Sequence, residues 1–76
     1  MSKFPRFAGV DLIKILVKKI GFQIMRQTGS HAVLCKFVGN EKIVTVVSLH
    51  KEVKTGTIFG ILALAKIEKR EFLSRL

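Results

Sequence analysis

The stretch HAVLCKFVGNEKIVTVVSL, residues 31–49, decides the fold. Two apolar runs, the second of them rich in β-branched residues, flank Gly39 and Asn40, a dipeptide that favours the two-residue turn of a β-hairpin. The segment therefore predicts strands over HAVLCKF and KIVTVVSL, joined by a tight turn. FQIMRQ, residues 22–27, reads as one more strand, which a TGS turn separates from the hairpin.

Apolar residues at helical spacing predict helices before and after these strands. GVDLIKILVKKI, residues 9–20, has an apolar face and a charged face, and Gly21 supplies a helix stop. A second helix is expected to start near Thr55 or Thr57, either of which could cap it, and to run through IFGILALA, followed by a short last helix. The order α-β-β-β-α-α predicts an α+β fold, a three-stranded antiparallel sheet with helices on one face.

Composition points to a small basic protein. The chain has 76 residues, 49% of them hydrophobic, which predicts a single domain over residues 1–76. Fourteen Lys and Arg against five Asp and Glu give a net charge of +9, so nucleic acid is the first expected partner and an acidic protein the second.

The amino-terminal stretch and the cysteine content indicate a cellular compartment. MSKFPRFAG lacks the apolar core of a signal peptide, and IFGILALA is far shorter than the roughly 20 residues that span a bilayer. The lone Cys35 has no partner for an intramolecular disulfide. We therefore expect a cytoplasmic protein without a membrane segment.

The hairpin register brings the two histidines together. If Gly39 and Asn40 form a two-residue turn, His31 pairs with Ser48. If the strand also runs on to His50, that residue becomes a diagonal neighbour of His31 on the same face, on the order of 7 Å away. Cys35 lies four strand positions from His31, about 13 Å, which is too far for a thiolate-imidazole pair. The sequence also has no metal-ligand motif and no phosphate-binding glycine loop.

Imidazole acid-base chemistry in a basic setting is therefore the main catalytic possibility. RNA suits it, because the 2′-OH is a built-in nucleophile that needs only deprotonation and a protonated leaving oxygen. His31 is the first candidate and His50 the second. The nearby cations expected to hold phosphates are Arg26, Lys36, Lys51 and Lys54.

Two other classes of function fit the same residues: an RNA-binding module without catalysis, and an adaptor that only binds a protein. His31 could equally be a structural residue at the head of a strand. The chain has no Tyr or Trp to stack on unpaired bases, so recognition is expected to rest on the RNA backbone and shape.

From about residue 8 onward the chain resembles the HicA, or YcfA-like, toxin family. Arg26-Gln27, one variable residue and Gly29-Ser30-His31 are similar to the most specific part of the family signature. VSLHKEVKTGTIFGIL resembles the segment in which the third strand ends in a histidine before a charged loop and a helix, and AKIEKREFLSRL resembles the extended last helix of one subgroup. The chain has Ser48 where the family usually has proline, and Lys66 where it usually has glycine.

The resemblance implies a fold, an activity and a partner. The fold would be like that of double-stranded-RNA-binding domains, of αβββα type. The activity would be that of an mRNA interferase, an endoribonuclease that needs no metal or other cofactor, with His31 as its catalytic residue. Gly29 and Ser30, beside His31, are expected to contact the RNA, and a HicB-type antitoxin is expected to neutralise the protein.

Overall fold

The computed structural model describes residues 4–76. The first three residues of the predicted domain and of the MSKFPRFAG stretch lie outside the described residues. Helix α1 spans Gly9–Ile15 and continues as a π-helical turn over Leu16–Ile20. Three strands follow: β1 (Gln23–Gln27), β2 (His31–Val38) and β3 (Glu41–Ser48). The chain ends with helices α2 (Thr55–Leu64) and α3 (Lys69–Ser74). The predicted order of elements is confirmed.

The first helix differs from expectation in its last turn. Residues 9–20 were expected to form one α-helix, but the chain widens into a π-helical turn after Ile15. The backbone N–H groups of both Gly21 and Phe22 then donate to the carbonyl of Leu16. Gly21 ends the helix as predicted, in the left-handed region at φ 96°, which glycine adopts without a steric penalty.

The sheet has the predicted antiparallel order β1-β2-β3. Val38 pairs with Glu41, so the hairpin turn has two residues, and Gly39 adopts a left-handed φ of 61° in it. His31 pairs with Ser48, which confirms the predicted register. Between β1 and β2 the register shifts at Met25, where a bulge lies between the Ile24 and Arg26 pairs.

One face of the sheet is covered by α1 and α2, and we call it the covered face. Side chains alternate along a strand, and five positions of β2 and β3 that point to this face are buried: Ala32, Leu34, Ile43, Thr45 and Val47. Towards the hairpin turn, Lys36, Val38 and Glu41 leave from the same face without being buried. The buried residues pack with Leu12 and Leu16 of the first helix and with Ile58 and Leu62 of α2. The one polar member, Thr45, donates a 2.8 Å hydrogen bond to the carbonyl of Ile61.

No helix formed by residues 4–76 lies over the opposite face of the sheet, and we call it the open face. His31, Val33, Cys35 and Phe37 of β2 point to it, together with the residues that pair with them. Phe37 is 62% exposed, and Val44 and Val46 of β3 are 38% and 40% exposed. Cys35 is a buried free cysteine between its neighbours. Apolar residues therefore occupy both faces, but only one face is covered.

Helix α2 starts where it was expected, but its cap is different. Lys54 occupies the N-cap position, and no side chain there accepts a hydrogen bond from the helix. Thr55 and Thr57 lie inside the first turn, so the expectation that one of them caps the helix is wrong. Between α2 and α3, Lys66 has a left-handed φ of 58°, and its ammonium group pairs with Glu41. The turn thus keeps the conformation that glycine favours, although a lysine stands there.

Two contacts tie the ends of the sheet to the rest of the fold. Gly9 lies so close to β3 that a Cβ atom there would stand 2.1 Å from the carbonyl oxygen of Ser48. Phe7 forms an isolated β-bridge with Val53 and packs edge-on against Phe72 of α3. Together these contacts hold the segment between β3 and α2 in place. No helix within residues 4–76 is long and apolar enough to cross a membrane.

Candidate RNA-cleavage site

The turn before β2 is built around the hydroxyl group of Thr28. Its Oγ1 accepts hydrogen bonds from the backbone N–H groups of Ser30 and His31, at 3.3 and 3.2 Å, and donates one of 3.1 Å to the carbonyl of His31. The backbone N–H of Thr28 donates to the same carbonyl at 2.8 Å. A side chain that satisfies its own turn in this way is typical of threonine and serine. The turn is thereby closed just before the histidine.

The ring of His31 is held by its neighbour in sequence. Ser30 Oγ lies 2.9 Å from His31 Nδ1, at hydrogen-bonding distance, and also 3.4 Å from Thr28 Oγ1. The His31 residue is exposed. A hydrogen bond at Nδ1 orients the imidazole and leaves Nε2 as the nitrogen that a bound molecule can reach. Thr28, Ser30 and His31 therefore form a short chain of polar groups that ends in an accessible ring.

Gly29, in the same turn, is not required by the backbone. Its φ lies outside the left-handed region, and a Cβ atom built on it would meet nothing within 4 Å. The fold would accept alanine at this position. The open space above Gly29 lies next to His31, where the backbone of another molecule could approach closely.

Arg26 shares the open face with His31. It pairs with Val33 across the strands, and Val33 is two positions from His31 in β2, so both side chains project from the same side of the sheet. Ser48 stands opposite His31 on β3. The bulge at Met25 contributes to this placement, because the extra residue sets which side of the sheet Arg26 faces.

His50 follows the end of β3 and does not continue the strand. Its carbonyl accepts a 2.9 Å hydrogen bond from the N–H of Gly9, while the residue itself is exposed. His50, Glu52 and Lys54 line one hollow with Ser48. Lys51 is exposed in the same loop. Ser48 thus pairs with His31 in the sheet and also lines the hollow of His50. Because β3 ends at Ser48, His50 is not the next same-face strand position that a longer strand would have made it.

Lys36 is placed away from both histidines. Strand residues alternate, and Lys36 pairs with Ile43, so its side chain leaves from the covered face. There its ammonium group stands 6.0 Å from the centre of the Phe22 ring. The expectation that Lys36 lies near the histidines is wrong. Lys36 is five positions after His31 in the same strand, so its side chain projects from the opposite face of the sheet.

Apart from Glu52, which lines the hollow beside Ser48 and His50, the carboxylates lie away from the open face. Glu41 starts β3 on the covered side and pairs with Lys66, and Glu52 pairs with Arg6 at 3.5 Å in the loop after β3. Asp11 accepts a hydrogen bond from the N–H of Ala8 at the start of α1. The last two carboxylates, Glu68 and Glu71, belong to α3 and its cap. The strand positions of the open face therefore carry cations and no carboxylate.

Metal ligation finds no support in the described part of the chain. Among residues 4–76, no three His, Cys, Asp or Glu side chains gather into a group that could hold a metal ion. What the site offers is an imidazole ring oriented by a hydroxyl, with cations nearby.

The fold and this arrangement define a small basic αβββα protein with an exposed histidine at the head of its hairpin. The family model described as HicA toxin of bacterial toxin-antitoxin matches residues 9–67. No curated protein and no solved structure matches the chain significantly. The chain belongs to the HicA toxin family. Membership in a toxin-antitoxin family implies an antitoxin partner.

Thr28 is the site residue that sequence reasoning missed. In the sequence it stands between Gln27 and Gly29 as a variable position of the signature, but in the structure its hydroxyl organises the turn. A hydroxyl residue at the start of a tight turn is a recognisable signal, because it can bond to the backbone two and three residues further on. The TGS turn carried that signal.

Proposed function

We propose that the protein is a metal-independent endoribonuclease that cleaves mRNA and is neutralised by a HicB-type antitoxin. The observation that carries the proposal is the 2.9 Å contact between Ser30 Oγ and His31 Nδ1 in an exposed turn beside a carboxylate-free face. Family membership supports it. His31 is the catalytic residue of this proposal.

His31 acts on the ribose next to the broken bond. As a base, its Nε2 takes the proton of the 2′-OH while the 2′-oxygen forms a bond to the adjacent phosphorus. The bond from phosphorus to the 5′-oxygen then breaks, and a proton goes to that oxygen. The products are a 2′,3′-cyclic phosphate and a 5′-hydroxyl end. Neither a metal nor a water molecule is consumed.

The protonation state of His31 decides which proton it handles. In the neutral ring with its proton on Nδ1, the Nδ1–H donates a hydrogen bond to Ser30 Oγ and Nε2 is free to act as a base; in the doubly protonated ring, Nδ1–H donates in the same way and Nε2–H is the acid. The neutral ring with its proton on Nε2, to which Ser30 would donate at Nδ1, cannot act as the base through Nε2. We assign the second role to His50 or to water, and the position of His50 in the hollow that Ser48 lines supports the first choice, because Ser48 pairs with His31. Ser30 and Thr28 are positioning residues, because they act through the ring.

Arg26, Lys51 and Lys54 are the proposed phosphate contacts. Arg26 lies on the open face, and the two lysines lie in the loop that carries His50. Gly29 supports a close approach of the RNA backbone, because the space above it is open. Lys36, on the covered face, contributes to the general positive field that attracts RNA rather than to this group.

The antitoxin proposal follows from charge and exposure. With a net charge of +9 and no carboxylate on the open face, an acidic protein would be attracted to the same side as RNA. Binding there would cover His31. We expect the isolated protein to associate with the product of the neighbouring reading frame, and the association to weaken as salt is raised.

The experiment uses purified protein and a defined mRNA segment, with and without EDTA. Cleavage that persists in EDTA supports the proposal, whereas binding without cleavage supports the alternative, a non-catalytic RNA-binding module. A second RNA carries one deoxy sugar at the cleaved position. It should bind and resist scission there, because the phosphates are unchanged and the nucleophile is missing. Equal cleavage of this strand would point to an activated water instead.

A further inference from the structure

The open face carries an exposed aromatic ring that the proposed reaction does not use. Phe37 points to the same side of the sheet as His31, and it is 62% exposed. Moving such a ring out of water lowers the free energy, so an exposed phenylalanine on a sheet face is a candidate contact surface. Val33, Val44 and Val46 extend this apolar surface towards His31.

Cations stand beside the apolar side chains of this face. Phe37 pairs with Lys42 across the hairpin, and Val33 pairs with Arg26 on the other side of β2. All five carboxylates of the chain lie elsewhere, at the start of β3 on the covered side, in α1, in the loop after β3 or around α3. An apolar surface with a cation beside each end matches a ligand that alternates flat apolar groups with negative charges.

We propose that the open face is a platform for an unpaired RNA strand, with the ring of Phe37 stacked on a base and Lys42 and Arg26 on phosphates. The proposal rests on the proposed function and names its substrate class as single-stranded RNA. Base stacking on an aromatic side chain tolerates any base, since every base has a π-face. The sequence alone predicts recognition without base stacking, because the chain has no Tyr or Trp. The exposed ring of Phe37 changes that prediction.

The distance along the strand sets how much RNA the platform holds. Phe37 lies six residues after His31, so the two side chains stand about 20 Å apart at the usual rise of a strand. That is about the length of six stacked nucleotides, or fewer in an extended strand. A base on Phe37 would thus lie several nucleotides from the bond that is cleaved, and it would add affinity without touching the reacting atoms.

A duplex fits this surface less well. In double-stranded RNA the faces of the bases are covered by their neighbours, so a flat ring finds no base face to stack on, and sequence is hidden in a deep, narrow groove. A folded acidic protein is the other ligand class that the charge allows. The cations interspersed along the apolar surface favour RNA, because a protein would have to supply a carboxylate at each of those points.

The test measures binding of a labelled single strand of about ten nucleotides, made of 2′-O-methyl RNA so that its 2′-oxygens cannot attack. Phe37→Ala and Phe37→Leu should each weaken RNA binding roughly 5- to 150-fold relative to the wild type. Phe37→Trp should retain wild-type binding, because an aromatic ring and not apolar area alone is needed. The matched control is Val38→Ala. Val38 is the next residue, 52% exposed and on the opposite side of the strand; this variant should bind as the wild type does.

The same strand annealed to its complement provides the second arm. Wild-type protein should prefer the single strand, and Phe37→Ala should lose that preference. Unchanged single-strand binding by Phe37→Ala would overturn the proposal, as would full binding by Phe37→Leu. A Phe37→Ala variant that binds RNA normally but no longer binds the product of the neighbouring reading frame would show that the platform is a protein-docking surface. That result would also overturn the proposal.

Failure of this inference and failure of the proposed function give different results. Wild-type cleavage in EDTA combined with a Phe37→Ala variant that binds normally leaves the nuclease in place and removes the platform. Ring-dependent binding of the uncleavable strand, combined with no cleavage of ordinary RNA, leaves the platform and removes the nuclease.

Discussion

Val46 and Val47 are neighbours in β3, yet Val47 is completely buried and Val46 is 40% exposed. The same contrast runs through the hairpin, with Leu34 buried on the covered face and Phe37 exposed on the open face. The covered face packs with two helices and holds the fold together. The open face has similar apolar content, but it carries His31 and Arg26 and no carboxylate. The difference teaches that the apolar residues of one strand differ in what they contribute: those on the covered face form the core, and those on the open face stay partly exposed, where we propose that they bind a ligand.

The largest expected effect is on the open face. His31→Ala should lower the cleavage rate on the order of a hundredfold to ten-thousandfold, because a general acid or base is lost. Its thermal unfolding should match the wild type, since the side chain is exposed at the head of β2 and the turn is closed by Thr28. RNA cleavage and calorimetry on the same preparation measure both.

His50→Ala is the internal comparison for that experiment. A similar loss of rate would support two histidines sharing the proton transfers, and a mild effect would leave His31 working with water. A His31→Ala variant that folds normally and cleaves at the wild-type rate would show that the histidine is only part of the strand.

The next largest effect is on stability, and it compares the two faces of the sheet by the same valine-to-alanine substitution on each. Val47→Ala should lower the free energy of unfolding by roughly 2 kcal/mol, from lost burial and a small cavity. Val46→Ala, one residue away, should change it by less than about 0.5 kcal/mol. Denaturant unfolding of both variants gives the values. Equal losses would mean that the open face is also part of the core, contrary to the comparison drawn above.

A smaller effect should come from the Ser30 hydroxyl beside the His31 ring, which we propose is catalytic. Ser30→Ala removes the contact to His31 Nδ1, which is worth about 1 kcal/mol for an ordinary hydrogen bond, or roughly fivefold in rate. The loss should fall on kcat more than on KM, since the ring is misoriented while the phosphate contacts stay.

Two further measurements separate orientation of the ring from a general structural role of Ser30. The nitrogen chemical shifts of the His31 ring should show a changed tautomer ratio in Ser30→Ala. Ser30→Thr, which keeps a hydroxyl, should restore both rate and ratio. An unchanged ratio in Ser30→Ala would remove Ser30 from the mechanism.

The smallest effect is expected from Gly29→Ala, which should raise the stability of the fold and weaken RNA binding. Gly29→Ala should stabilise the fold by about 0.4–1 kcal/mol, because the backbone there suits alanine and the unfolded chain loses freedom. It should also weaken RNA binding, because the new methyl group occupies the space where the RNA backbone is proposed to approach. Thermal unfolding and RNA titration measure the two changes.

Gly60→Ala is the matched control for Gly29→Ala. Gly60 lies exposed in α2, and a Cβ there also meets nothing within 4 Å, so alanine should stabilise the helix without affecting RNA. If both variants bind RNA equally well, the space above Gly29 is not used by the substrate.

The sequence by itself determined the hairpin, its register and the element order. Gly39 and Asn40 allow a two-residue turn, and once the turn length is set, strict alternation assigns every side chain of β2 and β3 to a face. His31 opposite Ser48 follows from that local chemistry alone. Helical spacing and Gly21 likewise set where the first helix ends, since both are properties of neighbouring residues.

Only the tertiary structure decided which of the two apolar faces the helices cover, since alternation marks two faces without ranking them. It placed the Lys36 ammonium group beside the Phe22 ring and the Thr45 hydroxyl against the carbonyl of Ile61. Packing decides such contacts, because no single segment contains both sides of them. The N-cap at Lys54 and the bonds of the Thr28 hydroxyl are local, and there the structure shows which of several neighbouring partners is used.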